Sequence, residues 1–183
     1  MRSREFEKSN CEIIIIAHNI RSVLNAGAIL RTCEGFGVGR VFATGYTPNL
    51  DFTTNGSNTK LLPHIREKLA KEFHKTALGA EEIVSLEFRE NIFDLISELR
   101  ENSFAIIGLE QDTRSILLNE FQPPAKIALI LGEEVGGLTE ELCEKCDKLI
   151  EIPMFGRKES FNVSVAAGIC LYNLAVSRRT FDS

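Results

Sequence analysis

The chain has 183 residues, 44% of them hydrophobic and 26% charged, a length and balance that suit one globular domain with ample core. Its 26 acidic and 21 basic side chains give a formal net charge of -5 and an isoelectric point near 5.4, which excludes a nonspecific basic coat for nucleic acid and confines any RNA contact to a local patch. No apolar run is long enough for a signal peptide or a spanning helix, so no membrane partner is expected, and five cysteines without scaffold spacing point to a reducing cytoplasm.

Met1 to Asn10 reads as a frayed start with Arg2, Arg4 and Lys8 among acids. Cys11 to Ala17, apolar throughout except for Glu12, is as expected of a parallel strand buried on both faces. After the loop His18 to Arg21, Ser22 is suited to cap a helix whose Val23, Ala26, Ile29, Leu30 and Cys33 keep helical spacing to about Phe36. Asn25 and Arg31 fall six apart and share no stripe of that helix. For both to face one pocket, Asn25 has to sit at the helix start and Arg31 inside it. Gly35-Phe-Gly-Val-Gly39 follows a helix and precedes the strand Arg40 to Thr44, the reverse of a dinucleotide loop, so it reads as a C-cap and turn.

Gly45 to Lys60, rich in Thr, Asn and Gly, reads as a substrate-facing loop. Leu61 to Phe73 is a basic-leaning helix whose charges suit a solvated face. A turn over His74 to Ala80 leads to the strand Ile83 to Leu86, and Ile92 to Arg100 has the spacing of an amphipathic helix. Phe104 to Leu109 is another buried strand, followed by a polar loop and the brief apolar Ile116 to Leu118. Phe121-Gln-Pro-Pro124 punctuates before the strand Ile127 to Leu131. That strand ends on Gly132, two carboxylates and a glycine pair. Thr139 can cap a helix with Glu140 and Glu141 in its first turn, where the helix dipole favours them. Leu149 to Ile152 then runs into Pro153 and a polar loop that opens the last helix, Phe161 to Arg178. Strands alternating with helices imply an α/β fold, a mostly parallel sheet flanked by helices. The loops after Leu131 and Ile152 read as two walls of one pocket at the ends of adjacent strands.

The chemistry these residues permit is restricted. The three histidines lack metal-ligand spacing and make no Ser-His-Asp order, and the lone CxxC of Cys143 and Cys146 is half of what a zinc site needs, so no metal is expected. Asn25, Arg31, Glu134, Ser160 and Asn162, beside glycine-rich turns, suit positioning and charge stabilisation rather than covalent catalysis. A phosphate-binding α/β enzyme is a weaker alternative, because no Lys-Ser/Thr follows the glycines as a P-loop requires.

Three segments carry a resemblance: Asn25-Ala-Gly-Ala-Ile-Leu-Arg-Thr32, Leu131-Gly-Glu-Glu-Val-Gly-Gly-Leu138, and Ile152-Pro-Met-Phe-Gly-Arg-Lys-Glu-Ser-Phe-Asn-Val-Ser-Val165. In this order they resemble the three motifs of the SpoU (TrmH-like) RNA 2'-O-ribose methyltransferases of the SPOUT class. The resemblance implies a single SpoU-type domain over residues 1–183 without a separate N-terminal RNA-binding domain. It also implies a C-terminal trefoil knot, which periodicity cannot reveal, and a homodimer with the active site near the subunit interface. The implied cofactor is S-adenosyl-L-methionine and the implied substrate the ribose 2'-hydroxyl of tRNA or rRNA. A catalytically silent RNA-binding protein of the same fold is the alternative. Carried over by position, Arg31, Asn25, Glu134, Ser160 and Asn162 are the catalytic set, and Gly132, Ile152 and Phe161, with Leu109 and Met154 as neighbours, line the donor pocket. Phe161 stands where leucine is usual and Glu133 where asparagine is frequent. RNA is expected along Arg21, Arg31, Lys60, Arg157 and Lys158, with Arg178 and Arg179.

Overall fold

Buried parallel strands have no polar face, and the two longest apolar runs of the chain become the centre of its sheet. In a computed structural model, which describes residues 11–48 and 62–176, β1 (Glu12–His18) and β6 (Lys126–Leu131) lie side by side, with Ile14 opposite Ala128 and Ile16 opposite Ile130. Odd and even positions serve different layers. Ile15, Ala17, Ile127, Leu129 and Leu131 pack on one face, while Ile14, Ile16, Ala128 and Ile130 pack on the other.

The remaining elements follow in chain order. α1 (Val23–Gly35), β2 (Arg40–Thr44), α2 (Pro63–Ala77), β3 (Ser85–Arg89) and α3 (Ile92–Glu101) precede β4 (Ala105–Leu109) and β5 (Ile116–Leu117). After β6 come α4 (Glu140–Glu144), β7 (Lys148–Glu151) and α5 (Val163–Val176). The seven strands, all paired in parallel, are ordered β3-β2-β1-β6-β4-β7-β5. The layer built on Ile15 and Leu129 takes Ile29 and Leu30 of α1, Phe73 and Ala77 of α2, and Ala167, Cys170 and Leu171 of α5. The opposite layer takes Leu95, Ile96 and Leu99 of α3 and Leu142 of α4. The expected α/β sheet covered on both faces is present.

Several boundaries depart from the sequence expectation. β6 and β7 are not neighbours: β4 runs between them and pairs with both. The pocket therefore has a third wall, the loop leaving β4. α2 continues through His74 to Ala77, and the chain leaves it with Leu78 at φ 50 and Gly79 at φ 88, both left-handed, before a 3-10 turn over Ala80–Glu82. β3 is accordingly displaced to Ser85–Arg89. α5 starts at Val163, because Asn162 caps it: the Asn162 side-chain oxygen accepts from the Ser164 amide at 3.0 Å. Ser22 caps α1 as expected, accepting from the Asn25 amide at 3.3 Å. Met1 to Asn10, most of the loop expected over Gly45 to Lys60, and Arg178 and Arg179 lie outside the described residues.

Candidate active site

The carboxyl ends of β4, β6 and β7 open onto a cavity of about 340 Å³, within the size range of small-molecule sites. Its apolar part comes from Leu109, Leu131, Ile152, Phe161, Val163 and Ala166. Its polar part includes Glu110, Glu133, Glu134, Glu151 and Glu159, and among the described residues no lysine or arginine lines it. A lining with five glutamates and, among the described residues, no cation favours a ligand carrying positive charge and disfavours a phosphate.

Two glycines set the shape of the β6 loop. A Cβ on Gly132 would lie 2.6 Å from the carbonyl carbon of Gly137, so only glycine lets the turn close on itself. Gly137 has φ 63, and a Cβ there would also lie 2.2 Å from a carboxylate oxygen of Glu110. The turn is pinned by the Gly137 amide donating to the Glu133 carbonyl at 3.1 Å and the Gly136 amide donating to the Glu133 carboxylate at 3.1 Å.

Glu134 leaves this turn toward the start of α1. Its carboxylate accepts from the Asn25 side-chain amide at 2.9 Å and from the backbone amides of Arg21 and Ser22, both at 3.4 Å. These backbone donors precede the first turn of the helix, where an anion is favoured. Burial works to raise the Glu134 carboxyl, but the Asn25 bond and the amides of Glu134, Arg21 and Ser22 outweigh it and hold the pKa below the ordinary glutamate value. The Asn25 side-chain oxygen in turn accepts from the Asn162 amide at 3.1 Å. Asn162 completes the series through its oxygen, which also accepts from the Ser164 hydroxyl at 2.7 Å. Glu134, Asn25 and Asn162, from three distant parts of the chain, thus form one hydrogen-bonded row.

The sequence-expected residues divide into three groups. Leu109, Gly132, Ile152, Phe161, Glu134 and Ser160 line the cavity. Asn25 and Asn162 stand beside it in the polar row. Arg31 and Met154 do not line it; Arg31 is exposed on α1 and, among the described residues, has no hydrogen-bonding or ionic partner. Periodicity also gave no signal for Glu110 and Gln111, which follow β4 and line the cavity, or for Tyr46. The Tyr46 hydroxyl donates to the Glu133 carboxylate, and the Arg21 guanidinium lies 5.5 Å from its ring centroid. Glu133, the departure from asparagine, thereby ties the loop after β2 to the cavity turn.

The sequence profile of the SpoU rRNA Methylase family matches residues 53–172. A tRNA (guanosine(18)-2'-O)-methyltransferase of Aquifex aeolicus is 31% identical over 93% of this chain and 72% of its own length. A 23S rRNA (guanosine-2'-O-)-methyltransferase of Coxiella burnetii is 31% identical over 91% of this chain, which spans 59% of that relative. Among solved structures, an A. aeolicus TrmH/SpoU tRNA modifying enzyme superposes with a TM-score of 0.73 at 28% identity, covering 94% of this chain and 78% of its own. An AdoMet-bound rRNA methyltransferase from Sinorhizobium meliloti shares the fold, with a TM-score of 0.76 at 20% identity over 95% of this chain and 59% of its own.

Proposed function

The chain belongs to the SpoU rRNA Methylase family, and on that footing we propose that it is an S-adenosylmethionine-dependent RNA methyltransferase acting on a ribose 2'-hydroxyl of tRNA or rRNA. The observation that carries the reading is the row Glu134–Asn25–Asn162, which joins all three motif segments at the edge of one acidic cavity. The relatives at 31% identity are named for guanosine 2'-O-methylation, of tRNA in one case and 23S rRNA in the other.

The cavity suits the donor. S-adenosylmethionine has one net positive charge, a sulfonium and an ammonium against its own carboxylate, which the acidic lining attracts, and an adenosine, which the apolar wall of Leu109, Ile152 and Phe161 can cover. The same charge pattern argues against a phosphate-binding enzyme. When bound, the donor supplies the electrophilic methyl group, so the protein's task is orientation and charge.

Glu134, ionised at neutral pH, fixes the Asn25 amide. The Asn25 oxygen then fixes Asn162, and in this reading these neutral amides orient the ribose. The Arg31 guanidinium stabilises the negative charge that develops on the 2'-oxygen. It performs this at the cavity of a second protomer. A dimer is supported by the face that α1 and α5 leave open: Leu24, Phe36, Val165 and Tyr172 are exposed, and the Phe36 ring meets Tyr172 edge-on at 6.5 Å. Exposed Arg157 and Lys158 beyond the cavity, with Arg21, supply phosphate contacts. The knotted C-terminal segment belongs to this reading and is supported by β7, the last strand in sequence, lying inside the sheet between β4 and β5. A single cytoplasmic domain fits five cysteines that all remain free thiols. No helix of the described residues is long and apolar enough to cross a membrane.

The test is calorimetric titration with S-adenosylmethionine, followed by transfer of a labelled methyl group to total tRNA and rRNA. Donor binding and 2'-O-labelled RNA are expected. A protein that binds RNA but not the donor would be the silent member of the fold and would end the enzymatic reading.

A further inference from the structure

The two residues that leave β4, Glu110 and Gln111, touch both of the other loops around the cavity. The Glu110 carboxylate accepts from the Leu138 amide at 2.6 Å through one oxygen and from the Gln111 amide at 3.1 Å through the other. The first bond reaches the far side of the Gly136–Gly137 turn, and Gly137 is the residue whose Cβ would collide with this same carboxylate. The Gln111 side-chain amide donates to the Glu159 carbonyl at 2.7 Å, in the loop between β7 and α5. The dipeptide is itself anchored: the Glu110 amide donates to the Ile150 carbonyl of β7 at 3.0 Å, and its carbonyl accepts from the Ser115 hydroxyl at 2.7 Å.

We infer that Glu110 and Gln111 are the positioning residues of the donor pocket. Glu110 fixes the β6 turn and Gln111 fixes the β7 loop, so the end of β4 sets the distance between the two walls that have to grip S-adenosylmethionine. The inference rests on the proposed function for the identity of the ligand but not for the clamp itself. Its chemistry is specific to a carboxylate. Both of its partners are N–H donors, and a carboxylate accepts from both, whereas the amide of glutamine accepts through its oxygen and turns a competing donor toward the second. The signature of this positioning role is a loss of donor affinity that goes with faster exchange at the Leu138 amide, which a carboxylate acting only on the donor's charge would not change.

The experiment compares wild type with Glu110→Gln and Gln111→Ala in the full chain. Donor affinity is read by calorimetry, kcat and KM by methyl transfer, and the Leu138 amide by hydrogen exchange in ligand-free protein. Glu110→Gln is expected to weaken donor binding about tenfold and to speed exchange at Leu138. Gln111→Ala, on an exposed side chain that the fold does not need, is expected to weaken donor binding about threefold with Leu138 exchange unchanged. Unaltered donor affinity in both variants, a fall confined to kcat, or unaltered Leu138 exchange in Glu110→Gln overturns the clamp. If wild type does not bind the donor, the functional reading fails, while the exchange at Leu138 still decides whether Glu110 holds the turn.

Discussion

At the scale of single residues, Glu134 and His18 make opposite kinds of commitment at the carboxyl edge of the sheet. Glu134 is half-buried against donors and its pKa is lowered. The stability it contributes is fully present above its ordinary value of 4.5 and is lost as pH falls from there toward the folded pKa. His18 is held neutral. Burial lowers its pKa, the Glu133 carboxylate opposes that only in part, and its ring nitrogens meet the Thr44 hydroxyl at 2.8 Å and the Asn19 amide at 3.1 Å. Its folded pKa is below 6.5, so its contribution is also present at higher pH and begins to fade as pH drops below 6.5. Thermal melts across pH 3 to 8 are thus expected to show stability falling in two windows, the first opening below 6.5 and the second below 4.5. Glu134→Gln should make the second window shallower, where Glu67, Glu81 and Asp112 also have lowered pKa values, and leave the first. Equal slopes in wild type and variant would show that Glu134 gains nothing from its donors.

At the scale of elements, the β6 turn carries the strictest backbone requirement. Gly137→Ala places a Cβ against Glu110 at a left-handed φ of 63. Strain of this kind costs about 1–3 kcal/mol, which for a chain of this length lowers the melting temperature by about 2–4 °C per kcal/mol. Differential scanning calorimetry is expected to show that fall together with loss of donor binding, since the Gly132 wall shifts with the turn. The strands on either side were readable in advance because burial on both faces demands continuous runs such as Ile13 to Ala17 and Ile127 to Leu131. The α1 and α4 starts were readable because Ser22 and Thr139 have cap chemistry, and both bond the expected amides. Strand order was not readable. Nothing in an apolar run says which neighbour it takes, so β4 between β6 and β7 came only with the fold. Glu110 was hidden for the same reason: its partner at Leu138 is 28 positions away, and a carboxylate after a strand has no periodic signature. α2 outran its expected end because a polar His74-Lys75 pair looks like a turn, while the true stop is the left-handed Leu78 and Gly79.

At the scale of the whole molecule, Arg31 decides how many chains make one active site. The motif placed Arg31 with Asn25, yet only Asn25 reaches the row beside the cavity, and Arg31 projects from α1 without a partner among the described residues. A guanidinium in water stabilises little, so a catalytic Arg31 needs a second surface to shield it. The open face of α1 and α5 supplies one: Tyr172 is 61% exposed, Val165 49% and Leu24 46%. Tyr172→Glu is expected to split the proposed dimer on light scattering and to lower methyl transfer with it. A sharper experiment mixes two inactive proteins. Arg31→Ala removes the cation and should cost about 100-fold to 1,000-fold in turnover. Ser160→Arg fills the acidic cavity of its own chain with a cation that neutralises it. In a mixed dimer the intact Arg31 comes from the Ser160→Arg chain and the intact cavity from the Arg31→Ala chain. After refolding the two in equal amounts, half of the dimers are mixed and each has one complete site of two, so roughly a quarter of wild-type activity returns. If Arg31 serves the cavity of its own chain, every site in every dimer stays defective and the mixture remains as inactive as its components.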